Sequence, residues 1–190
     1  MQRNNSGMRL LHSLGLALSC LATALVLAAD AGIDVTKSTI VATFRQESVP
    51  VEAPFRKFSG QVVYDASQPA AASANLDVET GSLDIGDPAY NAEIRKPAWF
   101  DSGKFPQATF RSTAVKAISA SRFEATGALT IKGRVLTITV PVAVSAGATG
   151  TAFDGTLLVS RQAFGIGDPS WKDAIEDQVS VRFHLVNASH

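Results

Sequence analysis

Cysteine and histidine are scarce in this 190-residue sequence, and their scarcity limits its chemistry. Its one cysteine, Cys20, falls in the N-terminal segment, so the rest of the chain has neither a disulfide framework nor a thiolate zinc site. Beyond that segment the histidines are His184, at a polar strand position, and His190, the last residue. Serine and cysteine hydrolases need a base beside the nucleophile, and these positions favour solvated side chains. We therefore expect no catalytic residue and no metal site.

Excess charge of one sign is also missing. From residue 32 onward the sequence has 15 lysine and arginine residues against 16 aspartate and glutamate residues. Nucleic acids and strongly anionic membrane surfaces bind proteins that have clustered positive charge. Glycines occur without a phosphate-cradling motif. We expect no nucleic-acid partner.

The first 31 residues have the order of a secretory signal peptide. Arg3 and Arg9 precede an apolar run over residues 10–27, and small residues follow. The segment is predicted to direct export and to be cleaved after Ala29 or Ala31. An uncleaved membrane anchor is the alternative, because about 20 apolar residues can span a bilayer.

Alternation of apolar and polar residues dominates the remainder, which is predicted to be one all-β domain over residues 32–190. The alternation indicates eight or nine strands, with eight segments at residues 39–46, 58–65, 75–80, 109–116, 123–132, 135–144, 153–160 and 178–185. Short links between neighbouring segments indicate hairpins. Because closure removes exposed edges, the pattern favours an antiparallel up-and-down eight-stranded barrel over a two-sheet sandwich.

A short helical insertion is predicted near residues 88–100. Asp87 is a typical N-cap before a proline, and Tyr90 and Ile94 give the helix an apolar side. A similar Ile-Gly-Asp-Pro segment occurs again ahead of Trp171. Two interpretations stay open: the motif simply begins helical turns, or both turns flank one barrel mouth and offer their aromatic rings to the same ligand.

Apolar lining is what the sequence offers in place of catalytic groups. An eight-stranded barrel is wide enough to hold side chains or one small ligand. Core packing explains any one aromatic residue, but several fall in the insertion and in the loop before the last strand, where pockets are often capped. The candidates for contact with a ligand are Phe44, Phe58, Tyr64, Tyr90, Ile94, Trp99, Phe100, Phe110, Phe123, Leu129, Phe164 and Trp171.

Several segments of the chain carry a distinctive sequence pattern. The most specific is the stretch from Trp99 to Ser112, which contains an aromatic pair and a Phe-Pro-x-Ala-Thr-Phe run. A Phe-Ser-Gly segment lies at 58–60 and a Leu-Thr-Ile-Lys-Gly segment at 129–133. With these segments the chain resembles the YceI family of periplasmic lipid-binding proteins, and the resemblance covers essentially the whole chain beyond residue 31.

The resemblance implies a lipocalin-like barrel in the periplasm whose long cavity binds an isoprenoid lipid, such as a polyprenyl phosphate or a quinone, without catalysis and with no other cofactor. Arg45 and Arg95 are candidates for a polar head group, because the arginine fork matches phosphate oxygens. Histidines that many relatives have are replaced by Glu93 and by residues near Gln46. This departure leaves the contacts to the head group open.

Two other functions stay open alongside the lipid carrier. The protein could be a partner of a membrane cytochrome b-type redox protein that handles quinone, which would need an exposed apolar patch near the mouth. It could also hydrolyse a lipid head group with carboxylates such as Asp84, Asp87 or Asp168. Related barrels often pair, so a homodimer is a further possibility.

Overall fold

The computed structural model describes residues 32–147 and 150–187. The predicted signal peptide lies outside the described residues. Short helical elements connect the strands: the helix α1 (Pro88–Glu93) and single 3-10 turns at Pro69–Ala71, Thr80–Ser82 and Pro169–Trp171. The strands are β1 (Thr39–Gln46), β2 (Val49–Pro54), β3 (Phe58–Val63), β4 (Ser73–Glu79), β5 (Gln107–Ser119), β6 (Arg122–Ile131), β7 (Arg134–Gly147), β8 (Gly150–Ser160) and β9 (Gln178–Val186).

All nine of these strands join one antiparallel sheet in the order β2-β1-β9-β8-β7-β6-β5-β4-β3. Sequential strands are neighbours except β2 and β3, and the non-sequential pair β1 and β9 curls the meander back on itself. The sheet order breaks between β2 and β3. Near this break Gly32 bridges to Gln61 of β3, and Ile33 bridges to Asn187 beyond β9. The predicted antiparallel, barrel-like fold is confirmed, with nine described strands in place of the eight segments found by alternation.

The additional strand is β2, whose two prolines and irregular pattern hide it in the sequence. Its hairpin with β1 turns through Glu47 and Ser48, with φ angles of 49° and 66°. Such two-residue turns favour glycine or asparagine because non-glycine residues rarely adopt positive φ. The Glu47 amide donates to the carbonyl of Ala174 at 2.8 Å, and the Glu176 amide donates to that of Arg45 at 3.0 Å. The loop before β9 therefore helps to hold the turn.

The inward faces follow the predicted alternation closely in β6 and β7. Phe123, Ala125 and Leu129 of β6 are buried, as are Val140 and Val142 of β7. The hairpin between these strands is the predicted one at residues 132–133, and both turn residues have positive φ angles, of 49° and 74°. Period-two patterning thus places an apolar surface on the concave side of the sheet.

Candidate ligand-binding tunnel

Two apolar chambers lie on the concave side of the sheet and meet at a shared ring of side chains. The wide chamber has a volume of about 470 Å³ and includes the insertion, and the narrow chamber has a volume of about 140 Å³ and is walled mainly by strands. We call the ring that lines both chambers the waist; it comprises Ile40, Val78, Ala108, Leu129, Leu157 and Val181. We refer to the two chambers together, with the waist between them, as the tunnel.

Strands β7 and β8 separate before the part of β8 that lines the wide chamber with Leu157 and Val159. Their ladder runs from Gly147 opposite Gly150 to Val142 opposite Gly155 and ends there, although both strands continue. On β7 the ladder stops just before Pro141, the residue that precedes Val142 in the chain, and proline has no amide hydrogen to donate to a ladder. Polar side chains of the β6–β7 hairpin bond instead to the loop after β8. The Lys132 ammonium, for example, donates to the carbonyl of Gly165 at 2.7 Å.

The insertion and the loop before β9 supply the aromatic walls of the wide chamber. Ile94 and Trp99 are buried, and Phe100 packs edge-on against Phe55 with ring centroids 6.4 Å apart. Seven of the predicted candidates line this chamber: Phe44, Tyr90, Ile94, Trp99, Phe100, Leu129 and Trp171.

Tyr90 and Trp171 lie at the mouth of this chamber, because both line it while remaining 51% and 37% exposed. Each follows a capped turn of the repeated Ile-Gly-Asp-Pro segment. The Asp87 carboxylate accepts from the amides of Ala89 and Tyr90 at 2.7 and 3.1 Å, and the Asp168 carboxylate accepts from the Ser170 amide at 2.8 Å. The structure thus supports the second interpretation, that the two turns offer their aromatic rings to one cavity.

The narrow chamber is lined by Phe110 and Phe123 among the predicted candidates, with the waist residue Leu129. The ring of Phe110 lies against the backbone of Gly127, where a Cβ atom would come within 2.7 Å of the ring and 2.4 Å of the carbonyl oxygen of Arg111. Only glycine leaves room for this approach. The ring therefore lies along the wall of the chamber.

Three predicted candidates pack in the core behind the chamber walls. Tyr64 stacks on Phe123 with ring centroids 6.2 Å apart and meets Phe153 edge-on at 5.5 Å. Phe58 packs against the same cluster of buried residues. Phe164, with 1% of its surface exposed, belongs to the core beside the wide chamber. These side chains support the tunnel without lining it.

The two predicted head-group arginines lie outside the lining of both chambers. The Arg45 guanidinium is 3.3 Å from the carboxylate of Glu176 and is half exposed. Arg95 donates from Nε to the carbonyl of Gly81 at 2.9 Å and lines a separate polar cleft of about 330 Å³. Sequence reasoning selected them because the arginine fork matches phosphate oxygens, but the residue type does not determine where a side chain points.

Sequence reasoning missed Arg161, the arginine that does line the wide chamber. Its side chain is 5% exposed, and its guanidinium donates to the carbonyls of Ile166, Ile175 and Glu176 at 2.9, 2.6 and 3.0 Å. A signal was available, because Arg161 continues the inward alternation of Leu157 and Val159. It falls one residue beyond the predicted strand, where the alternation was no longer followed.

Two of the three carboxylates considered for hydrolysis, those of Asp84 and Asp168, have lowered pKa values. Hydrogen bonds from the Asn91 side chain, the Gly86 amide and the Arg56 guanidinium lower the pKa of Asp84 to about 2. The hydroxyl and amide of Ser170 lower the pKa of Asp168. A general acid needs a raised pKa, so neither group is prepared to protonate a leaving group. The described residues include no cluster of metal-ligating side chains, and none of their helices is long and apolar enough to cross a bilayer.

Comparisons with known proteins agree with this architecture. The YceI-like domain family matches residues 32–187. A UPF0312 protein of Shewanella putrefaciens is 32% identical over 164 residues, which cover 80% of this chain and 84% of that protein. The crystal structure of BcnA from Burkholderia cenocepacia has a TM-score of 0.79 at 40% identity and covers 82% of this chain and 99% of that one.

A more distant structure shares the fold. It is a polyisoprenoid-binding domain from Saccharophagus degradans implicated in plant cell wall breakdown, with a TM-score of 0.66 at 17% identity, covering 84% of this chain and 99% of that one. On the family match and the coverage of these relatives, the chain belongs to the YceI family.

Proposed function

We propose that the protein is a non-catalytic binding or carrier protein for a long-chain isoprenoid lipid, whose tail occupies the two joined chambers. The observation that carries this proposal is the waist, the set of apolar side chains that line both chambers, and we infer that one lipid tail passes it. The distant structural relative from Saccharophagus degradans is described as polyisoprenoid-binding, which supports the same class of ligand.

Burial of the tail would provide the binding free energy. Each methylene-sized group transferred from water into an apolar site contributes about 0.8 kcal/mol. The wide chamber alone is within the range of about 300–1,000 Å³ that is typical of small-molecule sites. Chain length should therefore affect affinity strongly, and a tail long enough to pass the waist should bind more tightly than one that fills a single chamber.

The absence of catalysis in this proposal follows from the chemistry of the lining. The narrow chamber is lined by apolar side chains with a few serine and threonine residues. Two of the three carboxylates considered for hydrolysis, Asp84 and Asp168, are held ionised, and all three bond to their own turns. Such an arrangement favours retention of the ligand over its conversion.

Action in the periplasm is part of the proposal and rests on the signal-like N-terminal segment. Cell fractionation of the native host tests it. Recovery of a shortened chain in the periplasmic fraction is expected, whereas a full-length chain in the cytoplasm would contradict export.

A second candidate, transfer of quinone to a membrane cytochrome b-type partner, is favoured by the exposed rings at the mouth. Tyr90 and Trp171 are exposed side chains in the lining of one chamber, and a docking surface for such a transfer would need exposed apolar groups there. In this case the bound lipid would be a quinone, and its redox state would change on contact with the partner.

Organic extraction of the protein purified from its native host, followed by mass spectrometry, tests the main proposal. A prenyl lipid recovered at about one molecule per chain is expected. Protein that is empty after purification and also fails to take up prenyl alcohols, prenyl phosphates or quinones in vitro would overturn it.

A further inference from the structure

Arg161 places a buried positive charge in the wall of an otherwise apolar chamber. Its exposed fraction is 5%, and the wide chamber that it lines is bounded mainly by aliphatic and aromatic side chains. Among the described residues, no carboxylate oxygen lies within 4.0 Å of a nitrogen of this guanidinium. The nearby acids have other partners: Glu176 faces Arg45, and the Asp177 carboxylate accepts from the Gln162 amide at 2.9 Å.

Three backbone carbonyls accept hydrogen bonds from only some of the N–H donors of this guanidinium. An arginine side chain has five N–H donors and stays charged at any pH a protein tolerates. Carbonyls of Ile166, Ile175 and Glu176 accept one bond each. The remaining donors and the full charge have no counter-ion from the described chain, and a buried charge without one is costly. We therefore expect an anion bound in the chamber to act as the counter-ion of Arg161.

Trp99 adds a second donor to the same wall. Its indole Nε1 is buried and has no hydrogen-bond partner among the described residues. Gly167 separates the two side chains: a Cβ atom there would lie 2.1 Å from Nη1 of Arg161 and 3.8 Å from the Trp99 ring, and its φ of +115° also requires glycine. This glycine lets the guanidinium pack close to the Cζ3 edge of the indole in the wall of the wide chamber.

We propose that Arg161 binds an anionic, oxygen-bearing head group of phosphate or carboxylate type inside the wide chamber, with the lipid tail extending through the waist. This inference rests on the proposed function and makes it more specific. The narrow chamber is lined by no charged side chain of the described chain, so it suits the tail. Acidic groups at the mouth, Asp87 and Glu93, are bonded to the helix amides and to Lys96, so they leave Arg161 as the charge available to the ligand.

The first test compares two lipids that share a tail and differ in the head group. Polyprenyl phosphate and the polyprenol of equal length are titrated into the full chain and into the variant Arg161→Met. We expect wild type to prefer the phosphate by at least about tenfold, the contribution of roughly one charge-assisted hydrogen bond. Arg161→Met should lose the preference while it keeps its affinity for polyprenol.

Arg45→Met and Arg95→Met are matched controls, because each removes an exposed guanidinium from the same end of the barrel. Both should keep the preference for phosphate. A preference that disappears in either control and persists in Arg161→Met would overturn the inference, and so would equal affinity of wild type for the two lipids. Inorganic phosphate alone should bind weakly; affinity equal to that of the lipid would assign the site to free phosphate and overturn the head-group assignment.

A measurement on wild type alone covers the case in which Arg161→Met fails to fold. The 31P resonance of bound polyprenyl phosphate should resist broadening by Mn²⁺ in solution, because the head group is enclosed. Broadening as strong as that of the lipid free in solution would place the head group at the surface and contradict the inference. Failure of both lipids to bind would contradict the proposed function instead, so the two failures are distinguishable.

Discussion

The two chambers of the tunnel differ in the elements that build them and in the chemistry they present. The walls of the narrow chamber are strands whose alternation is visible in the sequence, and its lining carries no charge among the described residues. The wide chamber depends on the insertion and on the loop before β9. Its lining includes the guanidinium of Arg161 and the indole of Trp99, whose Nε1 has no hydrogen-bond partner among the described residues. On the proposed function, the regular sheet would provide affinity for the lipid tail and the irregular segments would provide selectivity for the head group.

Blocking the waist should separate the chambers and have the largest effect. Ala108 is the smallest side chain of the waist. We expect Ala108→Phe to exclude the tail from the narrow chamber and to lower affinity for long prenyl chains about 100-fold, which corresponds to roughly four methylene groups left unburied. Short prenyl chains should be affected little in isothermal titration. Ala143→Phe, on an exposed position of β7, is the control, and equal affinities of the two variants for the long chain would contradict a continuous tunnel.

Adding a Cβ atom at Gly127 should strain the wall of the narrow chamber and destabilise the fold. Gly127→Ala forces its Cβ against the ring of Phe110 and the Arg111 carbonyl, and we expect a loss of about 1–3 kcal/mol in the free energy of unfolding. Chemical denaturation measures it. Gly103→Ala is the matched control, since nothing lies within 4 Å of the position of its Cβ. An unchanged midpoint for the Gly127 variant would show that Phe110 relaxes without cost.

Removing the exposed rings at the mouth should alter the rate of ligand exchange at the wide chamber. For Tyr90→Ala and Trp171→Ala we expect release to accelerate about fivefold, because each truncation removes roughly 1 kcal/mol of contact with the ligand. Stopped-flow transfer of a fluorescent prenyl lipid to vesicles measures this rate. Val135→Ala removes an exposed apolar group elsewhere and should leave it unchanged. Equal rates in all three variants would place the mouth elsewhere.

Acid should weaken the anchoring of the insertion through Asp84, with the smallest effect of the four. Its pKa is about 2 in the folded chain against an ordinary 3.8, so its bonds to Asn91, Gly86 and Arg56 contribute stability above about pH 4 that is lost as the pH falls towards 2. Asp84→Asn should remove this part of the pH dependence. Asp34, whose pKa is also about 2, provides the comparison through Asp34→Asn at a site beside Val186 and away from the insertion. Thermal unfolding between pH 2 and pH 6 reads out both variants, and equal pH profiles for wild type and Asp84→Asn would contradict the role of this carboxylate.

The sheet and the site differ in how far the sequence predicts them. Alternation identified eight strands because apolar residues recur at every second position over most of their inward faces. It missed β2 because Pro50 and Pro54 obscure the pattern and the turn at Glu47 and Ser48 lacks glycine. Contacts from the loop before β9 hold that turn, and they join segments far apart in the sequence. The capped turn at Asp87 was predictable because an N-cap uses only neighbouring residues.

By itself the sequence determined the all-β pattern, the inward apolar faces and the aromatic residues available to a ligand, since these follow from periods of a few residues. Only the tertiary structure decided which aromatic rings line the tunnel. Phe164 packs in the core, whereas Trp99 lines the wide chamber. The tertiary structure also decided which arginine is enclosed: Arg45 lies at the surface and Arg161 is buried. The physical reason is that enclosure depends on how distant segments fold over a residue, and Arg161 is covered by carbonyls of a loop up to 15 positions away.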